Sequence, residues 1–364
     1  MQIVEFGAGT LRFLEEPPQR VPDGGFVWIF LDRDEMQARL PRLQQAAQVL
    51  GGSALLDLHL KDLGNRAHPS HYDYTSVYDL VIFRRLATEE EVREELGEDE
   101  DPDRALASFG RIRTRAIGFA VFDRLLVTVH PTGCQSPRQF IQRYLGDVVR
   151  SEGVTSVART RLPSSPADLM LRMINMMVDS YLELRKVLGA ELDQWQQALL
   201  SARNRGADWG ALMMARNALH TLEDLCEEQN DAMQEWLDEQ QEQPPPWLVQ
   251  SERDGLLARG RDVVEHIERV VHHVRRMEHG AETAVQIHFS ALGHRTNEIM
   301  RTLTALTAIF LPLNLIAGVF GMNFEFLPFS HDAAGFWWTL GSMAAIAVAL
   351  GVVFWRKHYL ARTR

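Results

Sequence analysis

The hydrophobic positions change their spacing along the chain. Short runs rich in β-branched and aromatic residues come first: "FVWIFLD" (26–32), "VYDLVIFRRL" (77–86), "RAIGFAVFD" (115–123) and "LLVTVHP" (125–131). They predict strands. Two segments with helical spacing lie among them, "RDEMQARLPRLQQAAQVL" (33–50) and "SPRQFIQRYLGDVVR" (136–150). The second opens with Ser136 as a cap and Pro137 at the first helical position. The pattern predicts an α+β domain over residues 1–160. That domain carries an acidic stretch, "TEEEVREELGEDEDPD" (88–103), read as an exposed loop.

From residue 166 apolar residues recur every three or four positions, predicting one helix over 166–200 and another over 207–241. The "QPPPW" turn at 243–247 ends the second, because proline removes donors and blocks continuation. The methionines of these helices read as packing residues. No proline follows from Trp247 to Leu311. Val264, Ile267, Val271 and Val274 repeat at three and four, like a coiled-coil seam. A helix over 249–320 would be roughly 100 Å long at about 1.5 Å per residue. Such a length predicts self-association around an axis.

Two further stretches carry no charge, "LTALTAIFLPLNLIAGVF" (303–320) and "GFWWTLGSMAAIAVALGVVF" (335–354). Each is close to the roughly 20 residues that cross a bilayer core. Pro312 is tolerable if neighbouring helices re-satisfy the freed carbonyl. Arg295 and Arg301 precede the first stretch, and Arg356, Lys357, Arg362 and Arg364 follow the second. The connection, 321–334, has no Lys or Arg and contains Glu325 and Asp332. Positive charge favours the cytoplasmic side, so both termini are expected there and the connection outside. Trp337, Trp338 and Trp355 stand where interfacial aromatics belong.

Composition narrows the function. The net charge of −11 argues against a general nucleic-acid surface. Cys134 and Cys226 form no metal-type spacing and read as reduced thiols. The start, "MQIVEFGAGTLRFLEEPP", lacks the basic-then-apolar pattern of a signal peptide. There is no Walker-type Gly-Lys loop and no catalytic constellation, so the expectation is a non-enzyme without a cofactor.

Gly321-Met322-Asn323 lies at the outer end of the first of two C-terminal spans. A long helix precedes it and basic residues close the chain. Here the sequence resembles the CorA family of divalent-cation channels, the 2-TM-GxN proteins. The likeness is tightest over "NEIMRTLTALTAIFLPLNLIAGVFGMNFEFLP" (297–328) and looser over 168–188 and 62–86. It implies a homopentameric funnel in the inner (plasma) membrane. Its parts would be a cytoplasmic α/β domain (1–160), a long-helix funnel and stalk (161–301), a pore-lining helix (302–320), a periplasmic loop with the Gly-Met-Asn motif (321–334), an outer helix (335–355) and a basic cytoplasmic tail (356–364).

The resemblance implies Mg²⁺ as cargo and as regulatory ligand, with Co²⁺ and Ni²⁺ as further cargo candidates. Mg²⁺ dehydrates reluctantly, and five Asn323 amides could hold it through its waters. From spacing alone Asn323 is equally a helix C-cap. Gly321 permits the turn, and Met322 packs rather than coordinates. Stepping back by three or four from Asn323 gives Asn314, Leu311, Thr307, Leu303 or Thr304, Met300 and Asn297 on one face. Asn314 and Thr307 could bond a hydrated ion, while Leu311, Leu303 and Met300 would form apolar constrictions. Family positions matching Asn297, Met300, Leu303, Leu311 and Asn314 line the pore. Leu311 stands where the family often has Met, and Asn314 where it often has a smaller hydroxyl residue. Asp262 matches the family's regulatory acidic position, with Glu89 and Glu90 as candidate partners. Glu325 would gather cations at the mouth. A Zn²⁺ transporter of the ZntB type is the alternative within the superfamily. A membrane-anchored binding or signalling module is the alternative from another class. His266, His272, His273 and His279 read as a polar helix surface.

Overall fold

The computed structural model describes residues 1–7, 10–95, 109, 112–134, 136–142, 162–200, 209–244, 248–322 and 333–357. Seven strands form one sheet: β1 (Gln2–Phe6), β2 (Leu11–Leu14), β3 (Phe26–Asp32), β4 (His71–Tyr74), β5 (Tyr78–Leu86), β6 (Thr114–Phe122) and β7 (Leu125–His130). Their order is β2-β1-β3-β7-β6-β5-β4. β3 and β7 run parallel, with Val27 opposite Leu125. The other pairs are antiparallel. Helices α1 (Met36–Ala46), α2 (Asp57–Gly64), α3 (Glu89–Glu95) and α4 (Ser136–Phe140) belong to the same half of the chain.

The central strands β3, β5, β6 and β7 are buried at most positions and largely apolar, because both sheet faces are covered. Val27, Ile29 and Leu31 join Leu43 of α1 and Leu63 of α2 in one core. Trp28 points the other way, edge-on to Phe140 at 6.4 Å. Helix α5 (Pro166–Leu200) packs on β3, β5, β6 and β7. Helix α6 (Trp209–Glu242) packs on β4 and β5. Met170, Met173 and Met177 of α5 are buried filler, as their helical spacing predicts. Gly118 lets α2 approach β6: a Cβ there would stand 2.2 Å from Leu63 Cδ2.

Two expectations need correction. The acidic stretch does not begin as a loop. Thr88 and Glu91 form a capping box, with the Thr88 amide donating to Glu91 Oε2 at 2.8 Å and the Glu91 amide to Thr88 Oγ1 at 3.3 Å. Three glutamates then occupy the first turn of α3, where the helix dipole favours them. Residues 96–103 lie outside the described residues. The second correction concerns Val264, Ile267, Val271 and Val274. All four are buried within a single chain. Helix α7 (Gln250–Phe320) packs there on its own α5 and α6. Arg259 pairs with Asp168 at 2.5 Å, His266 Nδ1 meets Asn175 Oδ1 at 3.1 Å, and Arg275 Nε pairs with Glu223 at 2.8 Å. The seam is intramolecular, since α5 and α6 offer the same apolar spacing that a second copy would.

The chain divides into two compact units, Met1–Glu282 and Thr283–Arg364. The second holds the end of α7 and helix α8 (Ala333–Arg356).

Candidate functional site

The apolar end of α7 and the whole of α8 are long and apolar enough to cross a membrane. Their most apolar windows are 6 % and 0 % buried within the chain. A core helix of a soluble protein would be mostly covered, so that reading fails.

Within the second unit each helix has one covered side. On α7 it comprises Ala305, Ala308, Ile309, Pro312, Leu313 and Ile316. On α8 the partly covered residues include Thr339, Met343, Ile346, Ala347, Leu350 and Phe354. Both sets step by three and four, the signature of helices lying along a neighbour. Ala305 is 0 % exposed. At about 100° per residue, Leu303, Thr307 and Asn314 lie nearly opposite it on α7.

The residues expected on the functional face all fall on that open side. Asn297, Met300, Leu303, Thr307, Leu311 and Asn314 are exposed, Leu311 at 67 %. Polar members, Asn297, Thr307 and Asn314, are interspersed with apolar ones along the stripe. Thr307 Oγ1 donates to the Leu303 carbonyl at 2.9 Å, and Thr304 Oγ1 to that of Met300 at 2.8 Å. The proton of Thr307 is therefore committed to the helix, and its oxygen lone pairs face outward. To a hydrated cation such a hydroxyl is an acceptor for water protons.

At the end of α7 the Gly321 amide donates to the Ala317 carbonyl at 2.9 Å. A Cβ at Gly321 would stand 2.9 Å from that same oxygen. Close approach, rather than a positive φ, is what selects glycine there. Met322 is exposed, and its amide donates to the Val319 carbonyl at 3.3 Å. Asn323 and Glu325 lie outside the described residues.

The expected regulatory residues are not gathered within one chain. Asp262 is exposed and pairs with His266 at 3.7 Å on its own helix. Glu89 and Glu90 are exposed on the first turn of α3. The described residues do hold a grouping that the sequence reading missed. Ligand atoms of His220, Glu223 and Glu278 lie within 4.8 Å of one another. The Glu223 carboxylate also meets Arg275, so much of its charge is already offset. His220 and Glu223 sit three apart on one helix face, which is visible in sequence; their meeting with Glu278 of α7 is not.

Comparison with known proteins places these features in one family. The sequence model described as "CorA-like Mg2+ transporter protein" matches residues 23–357. The cobalt/magnesium transport protein CorA of Thermotoga maritima is 27% identical over 192 residues, 53% of this chain and 52% of that protein. The magnesium transport protein CorA of Haemophilus influenzae is 29% identical over 104 residues, 29% of this chain and 33% of that protein. The chain thus aligns with about half or less of these curated relatives. The complete structure of the CorA magnesium transporter from Methanocaldococcus jannaschii superposes with a TM-score of 0.72 at 17% identity, over 98% of this chain and 97% of that one. Full-length CmaX superposes with a TM-score of 0.64, also at 17% identity, over 98% and 96%. The structural likeness fixes the fold, an α+β domain followed by long helices and two C-terminal apolar helices. The sequence match spans nearly all of it, and the chain belongs to the CorA-like Mg²⁺ transporter family.

Proposed function

We propose that the chain assembles as a homopentamer whose five α7 ends enclose a pathway for Mg²⁺, with Co²⁺ and Ni²⁺ as further cargo. The open stripe on α7 carries this reading. It is a membrane-length face that the chain leaves uncovered, and it intersperses oxygen-bearing side chains with apolar ones. Lipid is a poor partner for Thr307 and Asn314, whereas an axis shared with other copies gives them water and ions.

Five Asn323 amides form the outer ring and hold the ion through its water shell, which avoids the dehydration that Mg²⁺ resists. Leu303 and Leu311 narrow the path below the ring. Glu325 concentrates cations at the mouth. No titratable group stands on either apolar stretch, so the membrane potential supplies the driving force. It is worth roughly 2.3 kcal/mol per charge per 100 mV, about twice that for a divalent ion. The arginines flanking the spans support a topology with both termini in the cytoplasm and the 321–334 connection outside, by the positive-inside rule. Asp262, exposed on each copy, acts with acidic residues such as Glu89 or Glu90 of a neighbour to bind intracellular Mg²⁺ and hold the assembly closed. The reach of the family match across residues 23–357 favours this reading over a simple membrane tether.

Uptake into vesicles carrying the purified protein tests the proposal. With an inward-negative potential, wild type is expected to admit Mg²⁺. Asn323→Ala is expected to lose about tenfold or more in rate, the effect of removing one well-placed polar contact to the ion. Uptake by wild type no faster than by protein-free vesicles would leave only the tether reading, and equal uptake by the two proteins would remove the Asn323 ring.

A further inference from the structure

A cavity of about 320 Å³ opens in the first unit at the carboxyl ends of β3 and β7. These strands are the sheet's parallel pair, and ligands of open α/β sheets gather at such ends. Four arginines line the cavity, Arg33, Arg66, Arg84 and Arg115, together with the acidic residues Asp34 and Glu91.

Both carboxylates are already engaged. Asp34 accepts from Arg66 and from Thr132, each at 2.6 Å. Glu91 takes Arg85, which does not line the cavity, in a two-point contact. Arg33 and Arg84 are held differently. Arg33, 8 % exposed, donates to the carbonyls of Leu63 at 3.0 Å and Ala116 at 2.7 Å. Arg84 donates to Thr114 Oγ1 at 2.9 Å and to the His68 carbonyl at 2.8 Å, with longer bonds to the carbonyls of Thr114 and Arg66. Glu228 acts on Arg84 through space, while its carboxylate accepts from the Ser70 amide at 3.4 Å.

Carbonyls and hydroxyls aim a guanidinium without cancelling its charge. Burial pulls both guanidiniums below their ordinary pKa, and the neighbouring cations Arg66 and Arg115 add to the effect at Arg33 and Arg84 respectively. Burying like charges together is unfavourable unless a counter-charge arrives. A chain with a net charge of −11 nonetheless keeps this concavity positive. A second cavity, of about 730 Å³, shares Arg33, Asp34 and Arg66 and is lined on its apolar side by Met36, Leu40 and Leu60.

We propose that this cavity binds a phosphate-bearing small molecule, its phosphoryl group held by Arg33, Arg66 and Arg84. Arg66 gives one N–H to Asp34 and Arg33 gives two to carbonyls, so both have donors left for phosphate oxygens, while Arg84 has one left and supplies charge and a single contact. An organic body attached to the phosphate has Met36, Leu40 and Leu60 to lie against, while inorganic phosphate would use the smaller cavity alone. The site lies within the first unit and is read by binding, so it stands or falls separately from ion passage.

Calorimetric titration of the detergent-solubilised full chain decides the matter. It is run at low ionic strength with EDTA present, using ATP in one arm and sodium phosphate in the other. Wild type is expected to bind at least one of them saturably, with a Kd below about 1 mM. Arg84→Gln is expected to weaken binding about tenfold or more, as loss of a charged hydrogen bond does. That variant also cuts ties to His68 and Thr114. Arg66→Gln, at a side chain 74% exposed, is therefore the second variant and is expected to weaken binding with its circular dichroism unchanged. ATP binding much tighter than phosphate identifies an organic phosphate that uses both cavities; equal affinities identify free phosphate. Absence of saturable binding in both arms, or equal binding by wild type and both variants, overturns the site.

Discussion

Asp79 on β5 illustrates what burial does to a carboxylate whose described partners are neutral. It accepts from Gln240 Nε2 at 3.0 Å and from the Tyr72 hydroxyl at 3.4 Å, joining the sheet to α6. Burial pushes its pKa up to about 6, and nearby Glu239 and Asp123 push the same way. Between pH about 4 and 6 the folded chain therefore holds a proton that the unfolded chain has released. Stability from this group rises as pH falls through that window. His130 works in the opposite sense. Burial pulls its imidazole down to about 3, so the unfolded chain takes up the proton first and stability is lost as pH drops below about 6.5. A pH–stability curve of wild type alone mixes the two. Asp79→Asn keeps the shape and deletes one of them. The variant's melting temperature minus that of wild type is expected to be largest near pH 7 and to shrink toward pH 4. A difference that stays constant with pH would show that Asp79 is already ionised at its ordinary value.

Helix α7 joins packing and chemistry in a single element. Its first half fills an intramolecular seam, and its last part leaves a stripe open. Thr307 sets the character of that stripe near its middle, because its proton goes to the Leu303 carbonyl. Thr307→Val keeps the volume and removes the outward lone pairs. The expected result is a several-fold slower Mg²⁺ uptake with unchanged melting temperature. Uptake equal to wild type would reduce the stripe to a hydrophobic wall. The stripe could be read from sequence because a helix repeats every 3.6 residues and Asn323 supplied a phase. The central strands β3, β5, β6 and β7 were legible as well, since burial on both faces leaves unbroken β-branched and aromatic runs. β1, β2 and β4 escaped notice. They are short strands of mixed burial, without the long apolar runs that mark the central four. Helix α3 was hidden by its acidity, although Thr88 and Glu91 spell a capping box. The arginine cavity could not have been found in sequence. Its members come from six separate elements and connections, which only the tertiary fold brings to one end.

At the scale of the whole molecule, the outstanding feature is apolar surface that a single chain cannot cover. Leu303, Leu311 and Leu315 on α7 and Trp337, Trp338 and Val348 on α8 are all exposed. Lipid can cover α8, but it cannot explain why Thr307 and Asn314 share the stripe of α7 with leucines. Packing copies around an axis does explain it, provided the open stripe faces inward and the covered side faces out. Position-specific crosslinking separates this from any assembly held only by the first unit. In a background with Cys134 and Cys226 replaced by serine, Leu311→Cys puts a thiol on the axis, where thiols of neighbouring copies approach. Oxidation in the membrane is expected to give disulfide-linked dimers in high yield. Ile309→Cys puts the thiol on the covered side and is expected to give almost none. Native mass spectrometry of the same preparations should count five copies before and after oxidation, since the bond links chains already assembled. Equal crosslinking at 309 and 311 would mean that α7 does not keep one face to the axis. The Asn323 ring, the apolar constrictions and the inward lone pairs of Thr307 would then lose their common geometric basis.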